Sequence, residues 1–214
     1  MIMTNDHHSR SDIVQLAKVE NDVLTVWLRQ GLIRPIDAGV GRGKSLRFDP
    51  YQVRIARVLA DGRGVGLNGD ALRAIADALQ TAIQTFAKAD AHPRLLSSII
   101  EEIEAPGHFQ DNFASIRRLA ANRPSDELTD LLEMYEQDGF EETVKKAAAV
   151  FSVEDLDNLW LCVQLFDAEG YLVAYWDIHN GLWKVERHAT LDGSRLPSAA
   201  CILLDLSPLA DLPE

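Results

Sequence analysis

Helix-start and helix-stop residues lie close together in the first third of this chain, which limits that part to short helices. Ser11 can cap a helix over residues 12–19, and Asn21 can cap a second helix. Gly31 supplies a left-handed stop for the second helix, and Pro35 prevents its continuation. Two helices separated by so few residues cannot lie in line, so we expect them to cross as a helix-turn-helix.

A third helix has the clearest start in the chain. Asp49 is its predicted N-cap, Pro50 takes the first helical position and Gln52 the third, as in a capping box. Arg54 and Arg57 fall outside its apolar stripe. The face expected to be buried consists of Val53, Ala56, Val58 and Leu59.

Between the second and third helices, glycines alternate with cationic residues. Arg42, Lys44 and Arg47 fall within six residues. Glycines permit a tight hairpin, and cationic side chains suit contact with phosphate or with a minor groove. The segment neither follows a clear strand nor opens directly into a helix, which argues against a nucleotide-binding loop.

Positive charge is concentrated in the same part of the chain. The formal net charge of the whole chain is −12. Residues 9–73 hold 11 Lys or Arg and 7 Asp or Glu, a net +4, whereas residues 74–214 carry a net −15. Binding to DNA requires only local positive charge, because the affinity comes from counterions released at the contacted phosphates.

This order of elements resembles the DNA-binding head of the MerR family, which is a winged helix-turn-helix. The resemblance covers about a third of the chain. It implies that the second helix enters the major groove and that the basic wing contacts the DNA backbone or minor groove. The matching segments are VLTVWLRQGLIRP at 23–35, Arg47-Phe48 where the wing closes, residues 53–59, and GLNGDALR at 66–73.

The resemblance also implies which side chains contact DNA. Thr25 stands where the family usually has a basic residue in the second helix, which shifts the expected contact toward Arg29, the wing and the third helix. Arg54 and Arg57 suit a solvated helix face equally well. The full set of candidates is Thr25, Arg29, Arg34, Arg42, Lys44, Arg47, Arg54 and Arg57.

The middle of the chain is predicted to be helical. Asn68 can cap an alanine-rich amphipathic helix over residues 70–90, whose apolar face suits either a dimer partner or intrachain packing. Prolines divide the segment after this helix into short pieces. These pieces are expected near residues 94–104, 111–122, 126–138 and 140–150.

From residue 151 the pattern becomes that of strands, and we predict a small antiparallel sheet. The turn Asn180-Gly181 is typical of a two-residue hairpin and would pair Ile178 with Trp183 and Asp177 with Lys184. Trp160, Tyr175, Trp176 and Trp183 are interpreted mainly as core residues, with an effector pocket or a dimer surface as alternatives. The remaining predicted strands are 159–166, 171–178 and 199–205.

Catalytic and metal-binding motifs are not apparent, so we expect no enzyme activity and no cofactor. Cys162 and Cys201 lie in apolar patterns that do not suit a reactive thiol. No apolar run reaches the ~20 residues of a membrane helix, and the N-terminus lacks the apolar core of a signal peptide. We therefore expect a cytoplasmic protein with no membrane association.

These observations predict an α+β protein in three parts: a winged helix-turn-helix at 9–75, a helical linker or dimerisation module at 76–150, and a small antiparallel β module for an effector or for dimerisation at 151–214. We expect a sequence-specific transcription regulator that binds a pseudo-palindromic site in double-stranded DNA as a homodimer, with RNA polymerase or another regulator as a further candidate partner. Two alternatives stay open. One is an excisionase-like or phage-type architectural DNA-binding protein, and the other is a protein-binding adaptor that uses the winged helix and the acidic helices.

Overall fold

The structure is a computed structural model, and it confirms the α+β class. It describes residues 7–36, 46–107, 109–122, 129, 132–133, 135–136, 139–168, 170–188 and 201–212. Within these residues there are eight α-helices and five strands. In chain order they are β1 His8–Ser9, α1 Arg10–Leu16, α2 Asn21–Gln30, β2 Arg47–Phe48, α3 Pro50–Gly64, α4 Gly69–Ala87, α5 Leu96–Glu104, α6 Phe109–Asn122, α7 Phe140–Ala148, α8 Leu156–Asp167, β3 Tyr171–Asp177, β4 Leu182–His188 and β5 Cys201–Asp205.

The described residues form two compact units. The helical unit comprises those between 84 and 160, and the mixed unit comprises those up to 83 together with those from 161 onward. Helices α4 and α8 each run from one unit into the other. The parts of the chain predicted as the first and third segments therefore contribute to the same compact unit.

The first helix begins two residues earlier than predicted. Ser9, not Ser11, is its N-cap: the backbone N–H of Ser9 donates to Asp12 Oδ2 at 2.7 Å, and Ser9 Oγ accepts from the Asp12 N–H at 3.3 Å. Ser11 lacks an acidic residue three positions later, so it cannot form this reciprocal pair. The stop of α2 is confirmed, because Gly31 has a left-handed φ of 72°.

A buried pair of amides joins three segments of the mixed unit. The N-cap role of Asp49 is confirmed, since its carboxylate accepts from the Gln52 N–H at 2.9 Å. The Gln52 side chain does not return to Asp49 as a capping box requires; its amide instead exchanges hydrogen bonds of 2.8 and 3.1 Å with the amide of Gln80. Gln52 Oε1 also accepts from the Arg34 N–H, and Gln80 Nε2 donates to the Leu32 carbonyl. The turn after α2 is thereby fixed to α3 and α4.

The C-terminal end of α8 is attached to α3 by a buried arginine. Arg54 is only 4% exposed, and its Nη1 donates to the carbonyls of Leu165 and Phe166 at 3.0 and 3.2 Å. A cation is favoured at this end of a helix, where carbonyls lack intrahelical partners. On the same helix, Gly62 faces β5, because a Cβ atom there would lie in ordinary contact with Leu204 Cδ1, at 3.6 Å.

The strand predicted over residues 159–166 is wrong, because this segment lies within α8. Leu159, Cys162 and Leu165 are fully buried, and this spacing of three residues fits one face of a helix. A helix that is also buried on neighbouring positions presents a continuous apolar run, which periodicity alone cannot distinguish from a strand. The residues that indicate a helix lie earlier in the chain. Ser152 and Asp155 form the capping box of the turn that leads into α8.

The predicted antiparallel sheet is present, with the strand order β4-β3-β5, but the hairpin register differs by two residues. Trp176 pairs with Trp183, and Asp177 pairs with Leu182, across a four-residue loop. The Asp177 carboxylate accepts from the backbone N–H groups of His179 and Asn180, which stabilises the longer loop. Lys184 still reaches Asp177 diagonally, at 2.6 Å.

Three aromatic side chains of the helical unit pack against one another. The rings of Phe113 and Tyr135 stack with centroids 5.9 Å apart, and Tyr135 also packs against Phe140 at 4.9 Å. Among the described residues, helices α5, α6 and α7 confirm three of the four predicted pieces. For the piece near 126–138 only positions 129, 132–133 and 135–136 are described, and all of them are helical.

The four aromatic residues predicted for the core differ in their burial. Tyr175 is buried, as predicted. Trp160 and Trp183 are partly buried, and the Trp160 indole N–H donates to Glu104. Trp176 is 45% exposed, so the prediction of a core position is wrong for this residue.

Replacing one member of the Gln52–Gln80 pair should leave the other amide buried without its partner. We expect Gln52→Leu and Gln80→Leu each to lower the free energy of unfolding by about 1–3 kcal/mol. The double variant should cost clearly less than the sum, because it removes both amides. Urea unfolding measures all three, and Gln84→Leu, an exposed position on α4, is the matched control. Additive losses would show that the two amides are not coupled.

Replacing Arg54 should detach the end of α8 from α3. We expect Arg54→Met to lower the free energy of unfolding by about 2 kcal/mol, because two carbonyls lose a charged donor while the apolar volume is kept. Arg63→Met removes an exposed arginine of the same helix and should change stability by less than about 0.5 kcal/mol. Equal losses in the two variants would contradict a specific role for the Arg54 guanidinium.

Candidate nucleic-acid interface

Six of the eight candidate DNA-contacting residues lie in the described part of the chain. Arg42 and Lys44 lie outside the described residues. Arg54 is buried against α8, so its guanidinium is not presented at the surface. Arg57 is paired with Asp61 of its own helix at 3.0 Å, with only 15% of its side chain exposed. The positions left to form a surface are Thr25, Arg29, Arg34 and Arg47.

Thr25 does not present a free hydroxyl, because its oxygen accepts from Arg10, which was not among the candidates predicted from the sequence. The Arg10 guanidinium reaches across from α1 and donates to Asn21 Oδ1 at 2.8 Å, to the Asn21 carbonyl at 3.1 Å and to Thr25 Oγ1. The Thr25 hydroxyl in turn donates to the Asn21 carbonyl at 2.8 Å. Helix α1 therefore supplies the positive charge that the sequence of α2 lacks at this position.

The end of α2 carries further cations. Arg29 is exposed in its last turn. Arg34 follows the turn, where its Nε donates to the Gly31 carbonyl at 3.3 Å and its Nη2 lies 4.0 Å from Asp77. Arg73, which the sequence analysis also missed, donates from α4 to the Gln30 carbonyl at 3.3 Å. An exposed ion pair such as Arg34–Asp77 contributes little, so Arg34 can exchange Asp77 for another anion at low cost.

The residues that flank the glycine-rich segment, Ile36 and Arg47, lie next to each other. We call this pair of residues the loop base. The Ile36 N–H donates to the Arg47 carbonyl at 2.8 Å. Strand β2 pairs antiparallel with β1, which places Arg47 opposite Ser9, the residue before Arg10. Phe48 is fully buried and anchors β2, while Arg47 is exposed.

Acidic residues limit this cationic surface at one end. Glu20 and Asp22 are exposed on either side of Asn21, at the start of α2. The pKa of Asp12 is lowered because its carboxylate accepts hydrogen bonds from Ser9, so this group stays ionised inside the cap of α1. The cationic groups are therefore Arg10, the loop base and the second half of α2, and Glu20 and Asp22 flank the Asn21 that Arg10 binds.

The environment of Cys162 and the arrangement of possible metal ligands can be described directly. Burial raises the pKa of the Cys162 thiol to about 12, which disfavours the thiolate that nucleophilic or redox chemistry needs. Within the described part of the chain, no group of three His, Cys, Asp or Glu side chains is arranged to hold a metal ion. Nor does any helix among the described residues have the length and apolar character needed to span a membrane.

Comparison with known proteins adds no further assignment. No family model matches the chain, and neither a curated protein nor a solved structure matches it.

Proposed function

We propose that this protein binds double-stranded DNA through Arg10, the loop base and the second half of α2, and that it acts as a sequence-specific transcription regulator. The observation that carries this proposal is the placement of Arg10. Its guanidinium is fixed to Asn21 and Thr25 of α2, and its backbone directly follows Ser9, the residue that pairs with Arg47. A cation held in place at a helix surface suits a phosphate, because fewer conformations are lost on contact.

Several elements contribute to the same positive surface. Arg10 comes from α1, Arg29 from α2, Arg47 from β2 and Arg73 from α4, while Arg34 follows the turn after α2. Each of these arginines lies on α2 or the loop base or contacts one of them, and such a set in a chain of net charge −12 supports an anionic partner. We further propose that the arrangement functions as a winged helix-turn-helix, with Arg42 and Lys44 on the wing, and that a homodimer binds a pseudo-palindromic site.

Removing single cations should test the surface through the salt dependence of binding. We expect Arg10→Ala to weaken binding to any duplex and to reduce the slope of log affinity against log salt by about 1, because one phosphate contact is lost. Arg10→Lys keeps the charge but not the forked geometry, so it should preserve most of the slope while lowering affinity. Fluorescence anisotropy with a labelled duplex at several salt concentrations measures both quantities.

A matched control is Arg117→Ala, which removes an exposed, ion-paired arginine of the helical unit and should change neither affinity nor slope. The combined replacement of Arg42, Lys44 and Arg47 by alanine should reduce the slope by up to about 3. Unchanged slopes in both the Arg10→Ala and the combined variant would contradict the assigned surface.

Footprinting on genomic fragments then separates a regulator from its alternatives. A discrete, pseudo-palindromic footprint is expected for the proposed function. Cooperative spreading with bending would instead indicate an architectural protein. If no duplex is bound in a salt-dependent manner, the proposed function is wrong and a protein-binding adaptor is the better hypothesis.

A further inference from the structure

Strand β4 is an edge of the three-stranded sheet in the mixed unit. Among the described strands it pairs only with β3, while β5 lies on the other side of β3. It runs for seven residues without a proline. An edge of this length presents a row of backbone N–H and C=O groups that can pair with a further strand.

The charges along β4 are arranged symmetrically about its central residue. Lys184 and Glu186 flank Val185 and project from one face of the sheet, because side chains alternate along a strand. We propose that β4 pairs antiparallel with β4 of a second copy of this chain, about a two-fold axis at Val185. Lys184 of each copy then lies opposite Glu186 of the other, which forms two opposite-charge pairs.

This register is the one that the sequence of β4 favours. A two-fold axis at Val185 pairs all seven residues, from Leu182 opposite His188 through to His188 opposite Leu182. Moving the axis by one residue in either direction places Lys184 opposite Lys184, or Glu186 opposite Glu186, which is destabilising. An axis between residues would oppose side chains from different faces of the sheet, which the pleat does not permit.

The two charged side chains are oriented yet still accessible. The Lys184 side chain is 42% exposed and is held by Asp177 at 2.6 Å. The Glu186 side chain is 46% exposed and accepts from the Tyr175 hydroxyl at 2.6 Å. Each intrachain contact leaves surface for a partner and limits the conformations that are lost on pairing.

Apolar surface lies beside the same edge. Leu182 is 45% exposed at the first position of β4, on the face that carries Lys184 and Glu186, and Trp176, on the central strand β3, is exposed to the same degree on the opposite face. The Trp176 ring packs edge-on against Trp183, whose register partner in the proposed pairing is Arg187 of the second copy. Burial of Leu182 supplies a hydrophobic part of the interface on one face, and Arg187 of the second copy over the Trp183 indole adds to it on the other.

The β4 pairing rests on the proposed function at one point: it would be the two-fold interface of the proposed homodimer. Self-association is therefore measured without DNA by analytical ultracentrifugation over a range of concentrations, so that a failure here is separate from a failure to bind DNA. The wild-type chain is expected to form a dimer.

Charge reversal tests the register directly. Lys184→Glu and Glu186→Lys each place like charges opposite one another twice, so each variant alone should dimerise about tenfold or more weakly than the wild type. An equimolar mixture of the two variants restores both opposite-charge pairs in a heterodimer. We therefore expect the mixture to dimerise with roughly wild-type affinity.

The matched controls reverse the charge of a lysine and of a glutamate outside β4. Lys146→Glu and Glu142→Lys alter exposed positions of α7 and should leave dimerisation unchanged, alone and mixed. Circular dichroism of each β4 variant confirms that the sheet is intact. A wild-type monomer at all concentrations, single variants that dimerise normally, or folded single variants whose mixture stays monomeric would each overturn the proposed interface.

Discussion

The mixed unit depends on two polar side chains that α3 buries. Arg54 binds the end of α8, and Gln52 binds Gln80 and the turn after α2. Burying such groups costs several kcal/mol unless their hydrogen bonds are restored, so each is tolerated only in the arrangement that supplies its partners. Apolar packing alone would hold these segments together in several ways, whereas the polar contacts select one.

This constraint extends to the cationic surface. Gln52 accepts from the backbone of Arg34, and β2 leads directly into α3, so the turn after α2 and the loop base are both attached to the same helix. Arg10 is fixed in turn by two residues of α2. Arg34, Arg47 and Arg10 are therefore attached to backbone that hydrogen bonds hold in place. A surface that recognises a regular array of phosphates requires such fixed positions.

Features that depend on a few neighbouring residues could be predicted from the sequence. Gly31 ends α2 and Asp49 caps α3 because both contacts are made within one turn of a helix. The burial of Arg54, the placement of Arg10 and the partners of Gln52 depend on which elements cross, and no local pattern contains that information. The hairpin register is a local feature that was nevertheless predicted wrongly. Asp177 accepts from N–H groups only two and three residues away, and these contacts stabilise a four-residue loop in place of the two-residue Asn180-Gly181 turn.

The proposed dimer edge and the proposed DNA surface belong to the same compact unit. Strand β4 is joined to this unit through β3 and β5, and β5 packs against α3, from whose start the loop base extends. A two-fold axis through β4 would therefore relate two cationic surfaces through folded structure rather than through a flexible linker. The separation of the two surfaces would then be fixed, and a fixed separation selects half-sites at one spacing, since each surface must meet the same groove of the duplex.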